Sequence, residues 1–114
     1  MVKFSCKTIS KEDLIKCAFA LNKTDYKLLM FLLNKDKSLT TKQISGFMGL
    51  DRTTVQKAAS HLVSKRIVKR RQKNIPGGGY TFLYSIGNKE EVKSKIKEVV
   101  RNWCEGIEDA INEI

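Results

Sequence analysis

The stretch SLTTKQISGFMGLDRTTVQKAASHLVSKRIVKRR, residues 38–71, decides the fold of this chain. Thr40 and Gln43 form a capping-box pattern that opens a short helix, and Gly49 supplies the turn that ends it. Asp51 then caps a second helix, which starts directly after this turn. Two short helices joined by a tight, glycine-containing turn predict a helix-turn-helix.

The second of these helices, residues 52–65, has two distinct faces when its residues are placed at 100° intervals. The apolar face would pack into the core and consists of Val55, Ala58, Ala59 and Leu62. The opposite face carries Thr53, Lys57, Ser60 and Ser64, with Gln56 and His61 on its flanks. Hydrogen-bonding side chains with little charge suit a major groove, where base edges present donors and acceptors. An ordinary solvated polar face is the alternative interpretation.

A β-hairpin is predicted directly after this helix. Residues 67–73 and 80–86 have strand composition, and the glycine-rich segment NIPGGG, residues 74–79, separates them. Four basic residues crowd the first strand, where they can reach a phosphate backbone or a minor groove; they are Lys69, Arg70, Arg71 and Lys73. A nucleotide-binding loop is disfavoured, because no Gly-Lys-Ser/Thr follows the glycines and the loop leads into a strand.

Two further helices are predicted upstream. Ser10 caps the first, whose apolar face consists of Leu14, Ile15, Ala18 and Leu21. Thr24 and Asp25 open the second, which is apolar over most of its surface and is expected to form the spine of the core. A short strand is expected at Ser38 and Leu39.

The segment 89–114 predicts one long amphipathic helix. Its 26 residues would extend about 39 Å at 1.5 Å per residue, which is more than a small domain can cover. The first two turns can pack on their own domain, and we expect an identical subunit to cover the remainder. The candidate residues of this dimer interface are Val92, Ile96, Val99, Val100, Trp103, Ile107, Ile111 and Ile114.

Positive charge is concentrated in the middle of the chain. The net charge is +10; residues 38–88 contribute nine Lys/Arg against one Asp/Glu, whereas residues 89–114 have five against seven. A one-sign surface of this length indicates a polyanionic partner. By charge alone, DNA, RNA and an anionic membrane would each fit.

Three segments carry a resemblance to a known family: LNKTDYKLLMFLL, the helix-turn-helix stretch quoted above, and NIPGGGYTFLYSI. Together they resemble, over residues 21–88, the winged helix-turn-helix domain of MarR-like and TrmB-like archaeal transcriptional regulators. The resemblance implies binding to double-stranded DNA, with Thr53, Thr54, Gln56, Lys57 and Ser60 in the recognition helix and Arg70, Arg71 and Lys73 in the wing. Further candidates for backbone contacts are Lys42, Arg52, Arg66, Lys69 and Tyr80. Members of the family often have a glycine where Arg66 stands, so either the helix ends differently here or Arg66 itself contacts DNA.

We therefore predict a mainly α protein with a small β-hairpin (α+β), a winged helix-turn-helix with a long C-terminal dimerisation helix. Residues 1–22 would form an N-terminal helix that can join the dimer interface, residues 23–88 the DNA-binding domain and residues 89–114 the dimerisation helix. The function expected is sequence-specific DNA binding by a homodimeric transcriptional regulator. A winged-helix module for protein or RNA interaction, or a nonspecific chromatin-like DNA binder, are the alternatives.

The remaining motifs argue against an enzyme, a metal site and a cofactor. One histidine and no nucleophile motif leave little from which to build an active site. The three cysteines, Cys6, Cys17 and Cys104, form no C-x-x-C pair, and we expect free thiols in the reducing cytoplasm. An intersubunit disulfide or a redox sensor through Cys104 is the alternative. The longest apolar run, Leu28–Leu33, is far shorter than the roughly 20 residues that cross a bilayer. The identity of any small-molecule effector is not predicted.

Overall fold

The computed structural model describes all 114 residues, which form five helices and five strands. In chain order these are β1 (Val2–Phe4), β2 (Lys7–Ile9), α1 (Lys11–Phe19), α2 (Lys23–Leu33), β3 (Leu39–Thr40), α3 (Thr41–Met48), α4 (Arg52–Ser64), β4 (Lys69–Asn74), β5 (Tyr80–Ser85) and α5 (Lys89–Asn112). This order confirms the predicted fold class, a mainly α winged helix-turn-helix with a β-hairpin.

Each helix is preceded by a residue whose side chain accepts a hydrogen bond from a backbone N–H of the first turn. The five capping residues are Ser10, Asn22, Thr40, Asp51 and Asn88. The sequence predicts three of these caps, together with the partner of Thr40, which is Gln43. Helix α2 begins earlier than predicted, because Asn22 and Asp25 form a reciprocal capping box ahead of Thr24.

The wing sheet contains three antiparallel strands in the order β3-β5-β4. Leu39 pairs with Tyr84, and the long hairpin runs in continuous register from Lys69 and Ser85 to its tip. The sequence predicts that the first wing strand starts at residue 67, but residues 67 and 68 are buried core residues that precede the strand. The short strand also lies one residue later than predicted.

The hydrophobic core lies between α2, the helix-turn-helix and the sheet. Helix α2 is its spine, as predicted, since Leu28, Leu29 and Leu32 are at most 1% exposed. Ile44 of α3 and Leu62 of α4 are fully buried against this cluster.

A second, two-stranded hairpin precedes α1, and no pattern in the sequence predicts it. Strands β1 and β2 are antiparallel, with Val2 opposite Ile9 and Phe4 opposite Lys7. Most of their side chains are exposed, so this hairpin adds little to the core. The segment 1–22 is thus a hairpin followed by a helix, whereas the sequence predicts only the helix.

Candidate nucleic-acid interface

Helix α4 presents a polar face to solvent because its other face is committed to the core. Val55, Ala59 and Leu62 are at most 1% exposed, and the small alanine side chain lets α4 approach its neighbours closely. The predicted base-contact residues therefore lie on the outside: Thr53, Gln56, Lys57 and Ser60 are exposed, and Thr54 is half-buried. The structure brings these five side chains onto one exposed portion of a single helix.

The turn between α3 and α4 is held by backbone conformation and by one side chain. Gly49 has φ +67°, a left-handed conformation that glycine adopts without steric cost. The hydroxyl of Ser45 donates to the carbonyl of Leu50, which closes the turn. Since α4 packs on both α2 and α3, its position relative to the domain is fixed.

Asp51 holds the first turn of α4 through its carboxylate. Its Oδ1 accepts a hydrogen bond from the Thr54 backbone N–H at 2.6 Å. This hydrogen bond, followed by one from the Thr54 hydroxyl, holds the pKa of the Asp51 carboxyl below its ordinary value, and the nearby Lys57 acts in the same direction. The charged form is thus the one that caps the helix.

A buried carboxylate links α4 to α2. Asp25 is 2% exposed, and its Oδ2 lies 2.5 Å from Nδ1 of His61. Because a carboxylate only accepts hydrogen bonds, Nδ1 of His61 carries the proton in this contact. The pair borders a shallow groove of about 220 Å³ that Thr54 and Lys57 also line. The sequence places His61 only on a flank of the polar face; the periodicity of one helix cannot show that a residue 36 positions away lies against it.

Arg66 occupies the left-handed conformation in which glycine is frequent. Its φ is +63°, and its N–H donates to the carbonyl of Val63, while the N–H of Ile67 donates to Leu62. These two hydrogen bonds are the ones that form when a glycine ends a helix. Helix α4 therefore ends in the usual way, although Arg66 stands where glycine is frequent. The Arg66 side chain is exposed, and the proposal that it contacts DNA stays open to test.

The basic residues of the wing are divided between the two faces of β4. Because side chains alternate along a strand, Lys69, Arg71 and Lys73 share one face and Arg70 lies on the other. Arg70 stacks on Phe82, with its guanidinium 4.5 Å from the ring centroid. Nζ of Lys69 lies 3.5 Å from Oε2 of Glu91 in α5, which makes an ion pair. Arg71 and Lys73 are the wing cations without such an intramolecular contact.

The wing tip is built from three consecutive glycines. Gly77, Gly78 and Gly79 all have positive φ, and a side chain placed on any of them would meet open space. The loop closes through a hydrogen bond from the Ile75 N–H to the Gly79 carbonyl. Tyr80, the wing-tip candidate, is 57% exposed and contacts Phe82 edge-on.

The comparisons with known proteins agree with this architecture. The sequence profile of the DnaD N-terminal domain matches residues 10–106. The chain belongs to the DnaD N-terminal domain family. A related sequence, the uncharacterized protein MJ1503 of Methanocaldococcus jannaschii, is 32% identical over the whole chain and 86% of its own length.

Among solved structures, this DnaD N-terminal domain is similar to proteins described as transcriptional regulators. The chain is 35% identical to a protein described as a possible transcriptional regulator from Methanosarcina mazei Go1, with a TM-score of 0.93 over 99% of this chain and 95% of that one. It also shares its fold with the transcriptional regulator Tm0710 of Thermotoga maritima, at 19% identity and a TM-score of 0.55 over 89% of this chain and 70% of the other. The winged helix-turn-helix resemblance inferred from the sequence is thereby confirmed.

The remaining backbone candidates of this DnaD N-terminal domain are all exposed; they are Lys42, Arg52, Arg66, Lys69, Arg70, Arg71, Lys73 and Tyr80. No three His, Cys, Asp or Glu side chains converge in a way that could hold a metal ion. The three cysteines are free and exposed. None of the helices combines the length and the apolar character that crossing a membrane requires.

Helix α5 packs on the domain at its N-terminal end and projects away from it toward its C-terminal end. Val92 is 5% exposed and so is already covered within its own subunit, which removes it as a main dimer contact. Ile96 packs partly on the core. Trp103 is 54% exposed and Ile111 57%, and the molecule measures 66 × 23 × 22 Å because the helix projects from the domain. The N-terminal hairpin reaches α5 through Phe4, whose ring meets Trp103 edge-on at 6.2 Å.

Proposed function

We propose that the protein binds double-stranded DNA in a sequence-specific manner as a homodimer and that it regulates transcription. The observation that carries this proposal is the nearly uncharged hydrogen-bonding face of α4 beside an exposed basic wing. Base edges are read mainly by hydrogen-bond donors and acceptors, whereas phosphates attract cations, so the two surfaces are suited to different parts of a duplex. The description of the Methanosarcina mazei relative as a possible transcriptional regulator supports the same function.

In this proposal α4 enters the major groove, and Thr53, Thr54, Gln56, Lys57 and Ser60 are the side chains that reach base edges. The wing lies on the DNA backbone or in a minor groove. Arg71 and Lys73 are the wing cations that have no contact with an acidic or aromatic side chain of the subunit. Lys42, Arg52 and Arg66 would add backbone contacts. Residues 38–88 carry nine Lys/Arg and only one Asp/Glu. This charge favours a polyanion, and not another protein, as the binding partner.

The homodimer would place two recognition helices on one side of the duplex, about 34 Å apart in successive major grooves. Val92 and Ile96 would mainly serve the subunit itself. The interface would use the half-buried and exposed remainder of the α5 stripe, which consists of Val99, Val100, Trp103, Ile107, Ile111 and Ile114. The exposed Trp103 and Ile111 support this choice, because large apolar side chains on one helix face commonly mark an interface.

Selection of bound duplexes from a random pool tests this function. We expect enrichment of a palindromic sequence, which would establish specificity and two-fold symmetry together. Replacing Gln56 or Lys57 with Ala should then cost about 1 to 3 kcal/mol on the enriched duplex and much less on random DNA. Lys37→Ala, which removes an exposed charge outside the interface, is the matched control.

The other outcomes identify the alternatives. Equal losses on the enriched and the random duplex would show that the α4 side chains only hold phosphate. Absence of any enriched sequence, with binding that falls steeply as salt is raised, would identify a nonspecific binder. Absence of DNA binding at low salt would favour a winged-helix module for protein or RNA.

A further inference from the structure

The charges of α5 are separated along its length in a way that the helix itself does not favour. Residues 93–101 carry four basic side chains against one acidic, a net +3; residues 102–114 carry four acidic and no basic ones, a net −4. The helix macrodipole stabilises acids near the N-terminus and bases near the C-terminus. In the second half of α5 the order is the reverse, so stability of the isolated helix does not explain the distribution.

Neither does ion pairing within the subunit explain it. The two ion pairs of α5 join Lys93 to Glu90 and Lys69 to Glu91, and both involve the first two turns. The acids of the second half lie exposed on the part of the helix that projects from the domain; they are Glu105, Glu108, Asp109 and Glu113. A negative segment without a counter-charge and a positive segment on the same projecting helix are complementary to each other.

We propose that the uncovered face of α5 binds a second copy of α5 in antiparallel orientation. This inference rests on the homodimer proposed above and adds its geometry. In an antiparallel pair, the acidic end of each helix lies beside the basic segment of its partner, twice by symmetry. In a parallel pair, like charges would lie side by side along the whole helix, which is destabilising.

The apolar stripe is compatible with this orientation because it reads nearly the same in both directions about residue 101. Counting outward from that point, Val99 matches Trp103, and Ile96 matches Ile107 within one residue. Antiparallel packing needs such a palindromic pattern if apolar side chains are to meet apolar side chains. The half-buried Val99 and Ile107 and the exposed Trp103 would form the centre of the contact.

An exchange of the charges tests the orientation. The variant combines Lys93→Glu, Lys97→Glu, Arg101→Glu, Glu105→Lys, Glu108→Lys and Asp109→Lys, all at exposed positions, and leaves the net charge unchanged. It also moves charges in the direction that the macrodipole favours, so α5 should fold. Alone, the variant should form a homodimer as the unmodified chain does, because residues 93–101 then carry a net −3 and residues 102–114 a net +2, so the two segments remain complementary.

The decisive measurement mixes the variant with the unmodified chain and counts mixed dimers by native mass spectrometry at low ionic strength. An antiparallel interface places acid beside acid and base beside base in the mixed dimer, which should fall about tenfold below its statistical share. The milder exchange of Lys97→Glu with Asp109→Lys should give a smaller effect of the same sign. Asp36→Lys with Lys37→Glu, an exposed pair outside α5, is the control and should mix statistically.

Mixed dimers in excess of the statistical share would show a parallel arrangement, and a statistical share would show that these charges do not orient the helices. Either result overturns the inference while the homodimer stands. If the unmodified chain sediments as a monomer at micromolar concentration, the homodimer itself is wrong.

Discussion

At the scale of single residues, the carboxylate of Asp25 is the one charged group buried in the molecule. It completes the cap of α2 and contacts His61 of α4, so one residue fixes a helix start and the position of the candidate recognition helix. His61→Ala should lower the free energy of unfolding by about 1 to 3 kcal/mol, because the buried oxygen is left without that partner. Urea denaturation measures this, with the exposed neighbour Ser60→Ala as control. Equal stability of the two variants would contradict the role assigned to the pair.

Arg66 offers a test that separates stability from DNA binding. Arg66→Gly should raise the free energy of unfolding by up to about 1 kcal/mol, because φ +63° strains a side chain but not glycine. Lys65→Gly, at an ordinary φ of −84°, should be destabilising and is the matched control. If Arg66 contacts DNA, the stabilised glycine variant will bind duplexes more weakly; unchanged affinity would remove Arg66 from the interface.

The cap of α4 should make stability depend on pH in acid. The pKa of Asp51 is lowered in the folded chain, chiefly by the hydrogen bond from the Thr54 N–H, so its charged form favours folding. That contribution is fully present above the unfolded pKa of 3.8 and is lost as pH falls through the lower folded value. The Tm difference between the unmodified chain and Asp51→Asn should therefore be constant near neutral pH and shrink below pH 3.8. Asp36→Asn, which removes an exposed carboxylate that caps no helix, is the control for the loss of one negative charge.

At the scale of elements, the sequence is informative where one local signal determines the structure. The caps at Thr40 and Asp51 and the turn at Gly49 depend on side chains within a few residues, and the sequence predicts all three. The wing hairpin is recognisable from its alternating aromatic residues and its glycine tip. The N-terminal hairpin has only three residues in each strand, too few for a period-2 pattern, and part of its support comes from the distant Trp103. Neither that contact nor the one between Asp25 and His61 has a local signal.

The wing provides a prediction that the sequence alone could not make in this form, because it depends on which cations have a partner within the subunit. Arg71 and Lys73 share a face and lack intramolecular partners, whereas Lys69 is near Glu91. Replacing Arg71 and Lys73 with Ala should weaken binding to every duplex and reduce the salt dependence by about one unit of slope for each phosphate that is no longer neutralised. Lys69→Ala should have a smaller effect. An unchanged slope in the double variant would remove the wing from the DNA interface.

At the scale of the whole molecule, charge and shape divide the chain into two surfaces. The helix-turn-helix and wing carry most of the positive charge, while the projecting half of α5 is acidic and apolar. An acidic helix is repelled by phosphate, so it is expected to point away from DNA. The same distribution leaves the apolar stripe free for another subunit.

In the proposed homodimer two half-sites would be engaged at once, so dimerisation should raise the affinity for a palindromic duplex. Replacing Val99 and Trp103 with Asp puts charges in the centre of the stripe and should give a monomer by sedimentation equilibrium. Because Trp103 also contacts Phe4, the double change can unfold the N-terminal hairpin, and Ile111→Asp provides a milder variant at a position 57% exposed. Both should bind a palindromic duplex far more weakly, with affinity for a single half-site preserved in any variant that stays folded, because each recognition helix remains intact. Circular dichroism confirms the folded state, and Asn112→Ala, at an exposed and uncharged position of α5, is the control that should remain dimeric. A folded Val99 and Trp103 variant that still sediments as a dimer would show that α5 is not the interface.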